Sequence, residues 1–89
     1  MFIVYVLECW IEKKKKFYVG FTEDFKKRLK KHQAGSVKST KKYDKIKLVY
    51  YEACLNKTDS LKREKKLKTG FGRSYLKRRL ENYLTNKRL

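Results

Sequence analysis

The chain contains no proline, and no stretch rich in glycine and serine interrupts it. Nothing in its 89 residues therefore marks a linker, and a chain of that length is expected to form one small domain over residues 1–89. Long hydrophobic runs are missing too. No segment approaches the ~20 apolar residues needed to cross a bilayer. Phe2 to Leu7 is too short for a secretory leader and is followed by acidic Glu8. Only two cysteines occur, Cys9 and Cys54, and their separation matches neither a zinc site nor a redox pair. They are expected to be reduced, partly buried sheet residues of a cytoplasmic protein. Acidic residues are scarce: nine stand against 26 lysines and arginines, leaving a net charge of +17. That excess exceeds what solubility requires and implies a polyanionic partner, because counterion release from a phosphate backbone favours basic proteins. The lysines are spread over several helices instead of one amphipathic stripe, which argues against a membrane-surface protein.

What is present is aromatic and β-branched at the start. Phe2 to Trp10 reads as a first strand and Phe17 to Phe21 as a second, paired antiparallel through the polar turn Glu12-Lys13-Lys14-Lys15-Lys16. Thr22 or Asp24 can cap a helix running to about Ala34, with Gly35 as its stop. Ser36 to Lys45 is polar loop and Ile46 to Ala53 a third strand. Thr58 or Asp59 opens a second helix that ends at Thr69-Gly70. Leu76, Leu80, Tyr83 and Leu84 recur at helical spacing and predict a final amphipathic helix. The fold class is α/β of the α+β kind: a small three-stranded sheet, antiparallel or mixed, flanked by helices in the order ββαβαα.

Helical phase says which polar side chains turn inward. Relative to Phe25, His32 falls within about 20° and Leu29 within about 40°, with Arg28 about 60° to the side. Lys26, Lys27, Lys30 and Lys31 occupy the opposite half. His32 thus belongs to the apolar face and Arg28 to its margin, as a core histidine and a rim cation or as functional groups. On the second helix Glu64 bisects Leu61 and Leu67, about 60° from each. An inward carboxylate must be paired or bind a metal. It either bridges to Arg28 or a neighbouring lysine, or ligates Mg²⁺, which needs only one or two protein carboxylates with water and phosphate oxygens completing its shell. Tyr50, Tyr51 and Tyr83 are expected to pack. Tyr5 and Tyr18 instead lie in paired strands that lead to Arg28. Among cations and beside a metal a phenol's pKa falls, and a tyrosinate can take a proton from water.

With these residues in order, the chain resembles the GIY-YIG endonuclease superfamily. Ile3-Val4-Tyr5 stands for GIY and Tyr18-Val19-Gly20 for YIG, and the resemblance continues through Arg28 and His32 to Glu64. The stretch from Tyr18 to His32, and the block Leu61 to Lys68, are similar to small single-domain members related to the nuclease domain of excision-repair endonuclease C. Ile3 departs from the first glycine of the name motif, and Phe21 stands where some members place a lysine; Arg28 or one of Lys13 to Lys16 would then supply that cation. The resemblance implies a phosphodiesterase using one Mg²⁺ (or Mn²⁺) held by Glu64, with Arg28 stabilising charge on the phosphorus. Tyr18 or Tyr5 would activate water while the other positions it, His32 would assist, and Gly20 would let the backbone turn closely.

The expected function is Mg²⁺-dependent endonucleolytic hydrolysis of DNA, structured or branched substrates included, with a protein partner supplying targeting. Lys13, Lys14, Lys15, Lys16, Lys27 and Lys31 would contact phosphates. The competing reading is a basic module that binds DNA or RNA without cutting it, nuclease-derived or ribosome-associated. An inward carboxylate beside tyrosines and an arginine favours the first, since binding alone does not call for it.

Overall fold

The computed structural model describes residues 1–86, with side chains through residue 85. Three strands, β1 (Phe2–Ile11), β2 (Lys14–Thr22) and β3 (Lys45–Cys54), form one antiparallel sheet in the order β2-β1-β3. Four helices accompany it: α1 (Phe25–Gln33) between β2 and β3, then α2 (Lys57–Leu67), α3 (Gly70–Arg79) and α4 (Glu81–Asn86).

β1 is apolar along most of its length because it is the central strand and buries both faces. Ile3, Tyr5, Leu7 and Cys9 project to one side, where Phe25 and Leu29 of α1 pack with Tyr18, Tyr43, Ile46 and Leu48. Val4 and Val6 project to the other and meet Val19, Leu67 and Leu76, which bring in α2 and α3. Each such aliphatic side chain taken out of water contributes roughly 1.5–3 kcal/mol. A bulge at Val49 shifts the β1–β3 register between Val6 and Leu7, so that Tyr51 lies opposite Tyr5 but Leu48 opposite Leu7.

The local signals act as the residue chemistry predicts, with shifts at the ends. Asp24 caps α1 by accepting from the Lys27 amide at 3.2 Å, and Gly35 takes the left-handed φ of +74° that ends it. α2 begins earlier than expected: Asn56, not Thr58 or Asp59, is its cap and accepts from the Asp59 amide. The hairpin turn is shorter than the lysine run. Only Glu12 and Lys13 lie between the strands, Glu12 with φ 56°, while Lys14, Lys15 and Lys16 continue β2 and pair with Ile11, Trp10 and Cys9. Asp44 ties this hairpin to the segment preceding β3, since its carboxylate accepts from the Glu12 amide and its own amide donates to the Trp10 carbonyl.

The expected last helix divides. Gly70 opens α3 instead of closing α2, and Leu80 caps α3 before α4 begins. The tyrosines expected to pack do more than that. Tyr50 donates to Glu52 and bonds Tyr75, Tyr83 donates to Glu8 at 2.7 Å, and Tyr51 is 56% exposed. Both cysteines are free; Cys9 faces Ile46 and Cys54 faces Phe2, at opposite ends of the sheet. No helix among the described residues is long and apolar enough to cross a membrane.

Candidate active site

Strand register builds the centre of the site. Tyr5 and Gly20 are direct partners across β1 and β2. The Tyr5 ring lies over Gly20 so closely that a Cβ there would collide with its Cζ and Oη. The missing side chain lets the phenol cross β2 toward α1, where Arg28 Nε donates to Tyr5 Oη at 3.3 Å and His32 Nε2 lies 2.7 Å from the same oxygen. His32 Nδ1 in turn lies 2.7 Å from Thr40 Oγ1. Tyr18 closes the group from the edge strand, its ring centroid 5.3 Å from that of His32 and 6.3 Å from that of Tyr5. Tyr5, Tyr18, Arg28 and His32, drawn from three elements, therefore form one cluster.

The electrostatics follow from burial. His32 is 1% exposed, and desolvation, helped by the Arg28 charge, lowers its pKa from 6.5 to about 4. It is a neutral imidazole at physiological pH. Burial raises the Tyr5 pKa and outweighs the hydrogen bond from Arg28, with Tyr18 and Glu64 raising it further. The cationic surroundings thus do not lower this phenol's pKa, contrary to the expectation from charge alone: removal from water dominates. Arg28 has its pKa raised by its hydrogen bond to Tyr5 and remains a cation.

Glu64 approaches from α2. Its carboxylate raises the Tyr5 pKa, so its charge reaches the cluster. Its side chain is 18% exposed and forms an i,i+4 ion pair with Lys68 at 3.4 Å. Leu61, taken as one edge of the buried face, is 37% exposed, so the apolar seam of α2 runs through Leu67 and the carboxylate sits at its border. Among the described residues no three His, Cys, Asp or Glu side chains converge as a metal cage. The donors fit a hard divalent ion resting on one carboxylate and otherwise on water and phosphate oxygens. The counterion already present, Lys68, is 54% exposed.

Two basic depressions each include one member of the cluster. Lys15, Lys16, Lys68 and Arg73 line a groove whose floor includes Phe17, Tyr18, Val19, Leu67 and Leu76. Lys27, Arg28 and Lys31 line a second depression with Phe21 to Asp24 at the start of α1. Of the turn lysines, Lys13 and Lys14 border neither groove, and Lys15 is engaged by Glu8 at 3.1 Å. Glu8 is a buried carboxylate that helical phase could not point to. Its signal was the alternation Val4, Val6, Glu8 on one face of β1. Thr40 was also missed, because its segment has no periodicity to read.

Residues 1–79 match the family model described as the GIY-YIG catalytic domain. The chain is 37% identical over 67 residues to a UPF0213 protein of Staphylococcus saprophyticus, covering 74% of this chain and 78% of the relative. It is 39% identical over 62 residues to one from Clostridium perfringens, covering 68% and 63%. For one from Syntrophus aciditrophicus the identity is 39% over 67 residues, covering 73% and 74%. No solved structure matches.

Proposed function

The chain belongs to the GIY-YIG catalytic-domain family, which implies a nuclease acting on DNA, and from that premise we propose that it hydrolyses DNA phosphodiesters at the Tyr5–Tyr18–Arg28–His32–Glu64 cluster. The observation that carries this reading is the line of bonds joining Arg28, Tyr5 and His32 beside Tyr18, with the Glu64 charge reaching the same phenol.

Each group has a task suited to its surroundings. Arg28, held by Tyr5, offers its remaining guanidinium donors to the phosphate and to the charge that builds there. Tyr5 keeps its proton, since burial raises its pKa, and acts as a neutral donor to a phosphate oxygen. Tyr18, at the wall of the basic groove, acts in its phenolate form and takes the proton from the attacking water. Neutral His32 orients Tyr5 and does not itself titrate near pH 7. Glu64 would hold Mg²⁺ or Mn²⁺; when bound, that ion offsets phosphate charge and organises water. Lys16, Lys68 and Arg73 on one side, and Lys27 and Lys31 on the other, bind the flanking phosphates.

Plasmid nicking with Mg²⁺, and with chelator in its place, tests the reading. Glu64→Gln and Tyr18→Phe should each lower the metal-dependent rate by ~10²-fold or more, with little change in melting temperature or DNA affinity. A wild-type protein that binds DNA yet leaves it intact with every divalent ion tried would favour the non-cutting basic module. A fully active Glu64→Gln protein would remove Glu64 from the metal site.

A further inference from the structure

Thr40 touches His32 and lines neither basic groove. It is fully buried in the segment between α1 and β3. A series of turns holds it there: its amide donates to the Val37 carbonyl at 3.1 Å and its carbonyl accepts from the Tyr43 amide at 3.1 Å, while buried Val37 anchors the segment. This leaves the Thr40 hydroxyl 2.7 Å from His32 Nδ1.

Either tautomer leaves one hydroxyl proton unmatched within the cluster: that of Thr40 if Nδ1 carries the ring proton, that of Tyr5 if Nε2 carries it. A buried hydroxyl needs a partner for its proton. Among the described residues, His32 Nδ1 is the one side-chain hydrogen-bond partner of Thr40. If Nδ1 carried the imidazole proton, it would donate to Thr40 and leave the hydroxyl proton buried without an acceptor. If Nδ1 is bare, Thr40 donates to it and the neutral ring's proton must lie on Nε2. His32 Nε2–H then donates to Tyr5 Oη at 2.7 Å, and Arg28 Nε donates to the same oxygen at 3.3 Å. With both donors on its oxygen, the hydroxyl of Tyr5, a residue 1% exposed, has no acceptor for its proton within the cluster. Unlike Thr40 it adjoins Arg28, which borders a basic depression, so a phosphate oxygen bound there can accept that proton.

We propose that Thr40 is a positioning residue of this site: by donating to His32 Nδ1 it fixes the Nε2–H tautomer, which aims the Tyr5 hydroxyl proton at a phosphate oxygen of the substrate. The low pKa of His32 supports this, since a ring that ionises only near pH 4 is a poor acceptor for the proton of a phenol. The phosphate acceptor and the consequence for turnover rest on the nuclease reading above; the tautomer itself is read without any cleavage.

His32 is the single histidine of the chain, so its imidazole nitrogens can be read without ambiguity by ¹⁵N NMR on the intact protein. At pH 7 the expected spectrum has a protonated Nε2 and a bare Nδ1. Thr40→Ser should keep that spectrum and the parent activity. Thr40→Val, nearly the same shape, should give mixed tautomers and lower kcat by roughly 10-fold, of the order found when such outer partners are removed, with KM little changed. A protonated Nδ1 in the parent protein overturns the proposal whether or not DNA is cut. So does an unchanged Nε2–H spectrum, or an undiminished kcat, in Thr40→Val. If the parent protein cuts nothing but shows the Nε2–H form, and Thr40→Val loses it, the nuclease reading fails while the role of Thr40 in setting the tautomer stands.

Discussion

A histidine 1% exposed must be folded in its neutral form, and its place in the core sets a pH dependence for the whole chain. With its pKa lowered from 6.5 to about 4, the unfolded state binds this proton more readily than the folded state. Stability therefore stays complete above pH 6.5 and is lost as pH falls from 6.5 toward about 4. A displacement of that size corresponds to about 3 kcal/mol. Glu52 acts in a lower window. Burial alone would raise its pKa, but hydrogen bonds from Arg63 and Tyr50 overcome this and hold it below 4.5, so its contribution is lost only beneath that value. Urea melts between pH 7 and 4.5 should thus reveal the histidine before the carboxylate. His32→Gln should flatten the dependence in that interval, and an equally steep curve in the variant would assign the effect elsewhere. The inward position of His32 was legible because one histidine sat at the helical phase of Phe25 and Leu29. Thr40 was not legible, since no local pattern tells which residue of a polar loop returns to the core.

At the scale of elements, the β1–β2 pairing is the device that makes the site. Both tyrosine motifs could be recognised as strands from composition, but the reason for glycine at position 20 needed the register. Tyr5 and Gly20 are opposed, and the phenol occupies the volume a Cβ would fill. Gly20→Ala should force the ring away from Arg28 and His32, costing about 1–3 kcal/mol in stability as other overpacked sites do, and reduce cleavage while DNA affinity persists. In a Tyr5→Leu background the collision with Cζ and Oη is gone, and the same Ala substitution should cost much less. Equal costs in both backgrounds, measured by urea unfolding, would mean that the Tyr5 ring is not what excludes a side chain. The helix phases were read correctly where two apolar residues marked the face, as Phe25 and Leu29 did. On α2 the phase leaned on Leu61, whose exposure of 37% moves Glu64 from the centre of the seam to its edge. The start of α2 moved for a related reason: Asn56 competes with Thr58 and Asp59 as cap, and only the surrounding backbone decides, whereas Asp24 caps α1 as one of the two residues expected there.

Across the whole molecule, charge of one sign has to be distributed over a surface that includes two cationic grooves, one bordered by Tyr18 and the other by Arg28. Net charge announced a polyanion but could not say which lysines face it. Strand alternation separates them. Lys16 shares a sheet face with Tyr18, whereas Lys15 reaches buried Glu8, which also accepts from Tyr83 and so joins β1 to α4. Substituting Lys15 therefore removes part of a structural clamp along with a charge. Lys16, Lys68 and Arg73 line the groove beside Tyr18 and hold phosphates in the proposed mode. Replacing these three with glutamine should weaken binding to unrelated DNA sequences alike. It should also flatten the plot of log affinity against log salt, by up to ~0.9 for every phosphate of duplex DNA no longer neutralised. Replacing Lys13 and Lys14, which border neither groove, should change that slope far less per charge removed. Affinity titrations from low to moderate salt on the two variants make the comparison. If both lose slope in proportion to charge removed, the field of the whole protein governs binding and the groove has no privileged place. If only the groove variant does, and its cleavage falls with its binding, the phosphate track passes beside Tyr18.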